Sequence, residues 1–144
     1  MVKKLFHTDN SASTILIRLM VGVVFLSEGI QKFLFSEQAG AGRFEKIGLP
    51  SPEFLGAFVG TFEIICGTLI LLGFLTRIAS IPLILIMLTA IITTKFPILM
   101  KDGIWDMLHD SRTDWSMLLG NVFLLIKGGG KWSLDKFVCN EGAE

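Results

Sequence analysis

Glu63 is the residue whose position most demands a chemical explanation. It is the only charge in the run FLGAFVGTFEIICGTLILLGFL, residues 54–75. A helix rising about 1.5 Å per residue over that run just crosses a hydrocarbon core of about 30 Å, with Glu63 near the midplane. An ionised carboxylate there costs roughly 3 kcal/mol or more, so it must be protonated or face a partner inside a bundle. The preceding apolar run offers Arg18, Glu28, Gln31 and Lys32. In an antiparallel pair, Glu63 lies at a depth between Arg18 and Glu28, within about 10 Å of either along the axis, and a long Arg18 side chain reaches it. Ionisable groups in a membrane act as proton relays or ligand contacts. The structural alternative is that Arg18–Glu63 and Glu28–Lys32 are satisfied pairs that fix helix register. Glu28 and Lys32 stand in the favoured acid-then-base order for an i,i+4 pair, and both Arg18 and Lys32 are long enough to snorkel.

A second constellation is the polar turn His109, Asp110, Arg112 and Asp114, with Asp106 one turn earlier. Asp106, His109 and Asp110 share a helical face that a divalent metal could use. One histidine without cysteines is a poor ligand set, and acidic residues at a helix start are explained by the positive end of the helix dipole, so no metal is assigned. His7 and His109 are expected on opposite sides of the membrane, which excludes a bis-histidine haem. Gly128-Gly129-Gly130-Lys131 lacks the spacing and preceding strand of a phosphate loop. Cys66 and Cys139 are distant, no C-x-x-C occurs, and the thiols are read as unpaired. Linear spacing yields no nucleophile–base pair, so no catalytic residue is named and an independent enzyme is the less favoured reading.

The elements that must hold these residues follow from composition. The 144 residues are 51% hydrophobic and only 18% charged, with net charge zero and mean hydropathy +0.64. The apolar residues fall in long runs, which predicts an all-α integral membrane four-helix bundle with antiparallel up-down neighbours, a single domain spanning residues 1–144. The expected helices cover residues 13–35, 54–75, 79–96 and 110–127, with a short surface helix near 101–110. Ser11 or Ser13 is the expected N-cap of the first, which is read as an uncleaved span rather than a signal peptide because it is too long and contains Arg18. Arg18, Gly22, Phe25, Gly29 and Lys32 form one seam by their four-three-four-three spacing. Gly56, Gly60, Glu63 and Gly67 form a matching face of small residues, so Gly22, Gly29, Gly56, Gly60 and Gly67 are assigned to helix packing. Pro82 is expected in the first turn or so of the third helix, and Pro97 is expected to break or kink its end. Trp105 and Trp115 at one boundary and Trp132 at the other resemble an aromatic belt. A slight Lys/Arg bias, led by Lys3 and Lys4, favours cytoplasmic termini. Zero net charge implies no nucleic-acid partner; the lipid bilayer is the first partner, with a homo-oligomer open.

RLMVGVVFLSEGIQKF, FEKIGLPSPEFLGAFVGTFEIICGTLILLGFLTRIASIPL and RTDWSMLLG resemble the DoxX family of small bacterial membrane proteins, over about residues 19–134. The family pattern G-x-x-K-[LF] matches Gly29 to Phe33, G-L-P-x-P matches Gly48 to Pro52, G-x-x-E matches Gly60 to Glu63, and L-L-G-x-x-T-R matches Leu71 to Arg77. The resemblance implies four transmembrane helices in the inner membrane. The family takes its name from a subunit of an archaeal quinol-oxidising, thiosulfate-linked complex, and some relatives are linked to redox-defence assemblies. The cysteine pair of thiol-redox membrane enzymes is missing here.

Three readings follow. The leading one is a non-catalytic or accessory subunit of a redox or quinone-linked membrane complex. It would bind a small amphipathic molecule such as a quinone headgroup between the first two long helices, with Arg18, Gln31 or Lys32 donating and Glu63 or Glu28 handling a proton. The alternatives are a proton-coupled transporter or channel for a small solute, with Glu63 as relay, and a membrane scaffold whose glycine faces recruit partner proteins.

Overall fold

The computed structural model describes residues 8–141, with side chains to residue 138. Lys3, Lys4 and His7 fall outside that range, as does the Cys139 side chain. The regular elements among the described residues are all helical: α1 (Thr14–Leu34), α2 (Ala41–Lys46), α3 (Pro52–Leu72), α4 (Thr76–Ala90), a π turn (Ile91–Lys95), α5 (Phe96–Asp102), α6 (Ile104–Asp110), α7 (Arg112–Lys127) and α8 (Leu134–Glu141). Three stretches are long and apolar enough to cross a membrane: Thr14–Leu34, Pro52–Leu72 and Thr76–Asp102. The third is the least covered by protein, in keeping with the charge-free run from Ile78 to Thr94.

The two glycine seams meet. A Cβ on Gly29 would stand 2.7 Å from the Gly60 carbonyl oxygen, and one on Gly67 would stand 2.8 Å from the Leu26 amide. Gly22 opposes Gly67 and Leu71, while Gly29 opposes Gly60 and Ile64, so numbers fall along α3 as they rise along α1. Gly56 has a different neighbour: its Cβ position lies 2.9 Å from the Ala41 amide at the start of α2. It therefore seats the connecting helix rather than α1. The polar, glycine-rich stretch between α1 and α3 contains the helical turn of α2. Val21, Phe25, Cys66, Ile70, Leu83, Met117 and Leu124 form the buried core contributed by α1, α3, α4 and α7.

Helix limits shift where turn chemistry decides them. α3 stops at Gly73, which takes φ +68°, and Leu75 follows at φ +49°. α4 consequently begins at Thr76, earlier than expected, and Pro82 lies in its second turn. Pro97 does not end the helix. Proline lacks an N–H and its ring crowds the carbonyl four residues back. The chain answers by widening into the π turn just upstream, and helix resumes from Phe96 to Asp102. The surface helix expected at 101–110 is thereby split into α5 and α6 at Gly103, which has φ +95°. Ser13 occupies the N-cap of α1 without a side-chain cap bond.

Because the α1–α3 contact is backbone against backbone, Gly29→Ala should lower stability by about 1–3 kcal/mol, the usual cost of overpacking. Leu16→Ala, on an exposed position, should change it little. Thermal unfolding in mild detergent compares the two.

Candidate functional site

Glu63 is buried in the α1–α3 interface at 3% exposure. Its partner is Lys32, whose ammonium lies 2.7 Å from the Glu63 Oε2 and 3.9 Å from the Glu28 Oε2. Lys32 comes one turn after Glu28 at the end of the α1 seam, where the glycine contacts let its stem run down towards α3. The close approach is poorly directed: Glu63 Oε2 receives no hydrogen bond of good geometry. A carboxylate has about four lone-pair sites, so this single ion pair leaves acceptor capacity on a group removed from water.

The ion pair faces a cavity of about 580 Å³. Its walls are largely apolar and aromatic, including Phe25, Phe58, Met87 and Met117. Volume and lining both fall in the range of small-molecule sites. A second charged group borders the same space. Lys95, only 8% exposed, bonds to Asp110 at 2.5 Å and lies 3.3 Å from Asp114. The Lys95 hydrogen bond and charge hold the Asp110 carboxyl below the usual carboxylate range. Arg43 on α2 also borders the cavity. A wider, shallower recess beyond Lys32, lined by Glu37, Glu45 and Glu53, does not include Glu63.

The expected site residues separate into three groups. Glu28, Lys32 and Glu63 come together at the cavity. Gln31 does not join them: it donates to Ser27 Oγ at 2.9 Å on the exposed face of α1. Arg18 does not reach Glu63. Its guanidinium is held by four carbonyls, with Nε to Ile70 O at 2.9 Å, Nη2 to Leu71 O at 2.6 Å, and Nη1 to Gly129 O and Trp132 O. The last turn of a helix leaves carbonyls without intrahelical partners. At the end of α3 they lie closer to Arg18 than the carboxylate does, and they capture it. Asp135 completes this knot by accepting from the Leu75 and Thr76 amides, capping α4 from 59 residues away.

At the other end, the polar turn divides. Asp110 and Asp114 turn to Lys95, whereas Arg112 pairs with the exposed His109 ring at 2.9 Å. Among the described residues no three His, Cys, Asp or Glu side chains gather as a metal site. Cys66 is buried and unpaired. Lys95, Arg43 and Asp135 escaped the sequence reading. The signals for Lys95 were Pro97 two residues later, which demands a local widening, and the acidic row Asp106, Asp110, Asp114, which needs a cation.

These features define a helical membrane protein with a buried ion pair at a largely apolar cavity among its helices. The DoxX family profile matches residues 13–95, more than half of the chain, and the protein belongs to that family. It is 52% identical over 139 residues to the Mycobacterium tuberculosis protein named "Uncharacterized membrane protein Rv3486", covering 92% of this chain and 85% of that one. It is 31% identical over 125 residues to the Bacillus subtilis protein named "Putative oxidoreductase CatD", covering 87% and 86% respectively. No solved structure matches it.

Removing one partner of a buried ion pair leaves an uncompensated charge, at a cost of about 3–5 kcal/mol. Lys32→Met should therefore destabilise the protein far more than Lys32→Met combined with Glu63→Met. A double-mutant cycle on thermal unfolding measures the coupling.

Proposed function

We propose that this protein is a four-crossing, antiparallel up-down bundle of the bacterial inner membrane with cytoplasmic termini. In this reading it serves as an accessory subunit of a redox or quinone-linked membrane complex. α7, although only 16 residues long, supplies the fourth crossing with the polar turn before it packed against the bundle. Its ligand is a small amphipathic ring compound, with a quinone headgroup as the best fit.

The observation that carries this reading is the Lys32–Glu63 pair at the wall of a cavity whose lining is mostly apolar. An ammonium beside a carboxylate with a free acceptor position can donate to a carbonyl oxygen and accept from a hydroxyl. Those are the two forms through which a quinone headgroup passes on reduction. The pair would bind and orient the headgroup and hold a proton at the Glu63 carboxylate, while the apolar walls exclude water. The oxidoreductase name borne by the Bacillus relative supports a redox setting. Arg18 is absent from the site because carbonyls at the end of α3 and after α7 hold its guanidinium.

The test is to purify the protein gently from native membranes, extract it, and assay for a bound ring compound. A bound chromophore, or saturable binding of an added short-chain benzoquinone that weakens at least tenfold in Glu63→Gln, is the expected result. Empty preparations with no saturable binding would overturn the reading.

A further inference from the structure

The cavity has two charged regions. In one, Lys32 and Glu63 have side chains 9% and 3% exposed, beside Glu28 at 48%. In the other, exposure falls stepwise from Asp110 at 54% to Asp114 at 22% and Lys95 at 11%. Lys95 is a cation at the end of a membrane-crossing stretch, and it is the last residue of the π turn. Such turns are uncommon and cluster at functional sites, because one extra residue per turn re-aims the side chains that follow. Here the widening turns Lys95 onto the cavity and onto the two acids of α6 and α7.

The charges lining the cavity nearly balance. Lys32, Arg43 and Lys95 stand against Glu28, Glu63, Asp110 and Asp114. An anionic ligand would have to displace carboxylates already seated on the lysines, and a cationic one would meet lysines at both regions. A neutral molecule avoids both costs, provided that it brings acceptors for the ammonium groups. Between the charged groups the lining is supplied mainly by apolar side chains such as Phe25, Val59, Ile86 and Met117, which suit an apolar body.

We infer that the cavity is a two-ended site, with Lys95 as its second binding residue, for an uncharged amphipathic ligand carrying oxygen acceptors at opposite ends of an apolar body. The inference rests on the function proposed above and adds to it the Lys95 region of the site. On binding, one oxygen accepts from Lys32 and the other from Lys95. Asp110, being half in water, gives up its share of Lys95 at the smaller cost. Asp114 holds the ammonium in place but also competes with the ligand for its protons.

The experiment is calorimetric titration of the detergent-solubilised full chain with two probes. One is a short-chain alkyl benzoquinone with two carbonyls across the ring, and the other is an alkyl aryl ketone with one. A hydrogen bond to a charged donor corresponds to a factor of roughly ten or more in affinity. Lys95→Met should weaken the two-ended probe about tenfold and leave the one-ended probe unchanged. Asp114→Asn, which releases Lys95 while keeping its charge, should tighten the two-ended probe. Lys32→Met should weaken both probes. Unchanged two-ended binding in Lys95→Met and Asp114→Asn, with Lys32→Met still harmful, would overturn the inference and leave the proposed site standing. Binding of neither probe, or binding indifferent to Lys32, would overturn both. Because Asp110 and Asp114 are partly in water, loss of Lys95 leaves no fully buried charge, and the opposite signs of the two variants separate a binding role from a folding defect.

Discussion

A carboxylate in the middle of an apolar helix can persist only if the fold supplies a cation and shields both from lipid. Much of this protein can be understood as the solution to that requirement. Lys32 must come from another helix, and it must approach within ion-pair distance. Both conditions demand that α1 and α3 lie almost backbone to backbone, which glycines at 22, 29, 60 and 67 permit. The small residues and the charged pair are therefore two aspects of one interface. Neither accounts for the arrangement alone, since glycines would pack without Glu63, and Glu63 would be unshielded without the glycines.

The far end of the same interface is held by different means. The tight turn from α3 to α4 places Gly73 and Leu75 in left-handed conformations and exposes the last carbonyls of one helix and the first amides of the next. Arg18 takes the carbonyls, Asp135 takes the amides, and the segment after α7 is tied across both. This knot lies outside the cavity, whose Lys95 side is lined by a partly exposed ion cluster between the π turn, α6 and α7.

The helical class, the seam on α1 and its partner face on α3 were legible in the sequence because helical periodicity fixes which residues share a face. The partner of Glu63 was not. Arg18 and Lys32 both flank its depth, and the choice between them depends on competition from the carbonyls at the end of α3, which no spacing reveals. Lys95 was hidden for a related reason. A 3.6-residue period carried through the π turn assigns it the wrong face, so the acids at 110 and 114 read as a solvated helix start. Asp135 caps α4 across a sequence gap that local patterns do not bridge. Family resemblance reached the membrane fold and the Gly60 to Glu63 motif, and it left the geometry around them to be read from the structure.

The α1–α3 interface is built around a charged, lysine-paired acid. Infrared difference spectroscopy of the reconstituted protein, wild type against Glu63→Gln at neutral pH, addresses that state directly. Loss of an ionised carboxylate band is the predicted result. Loss of a protonated carboxylic acid band, with the carboxylate region unchanged, would contradict it.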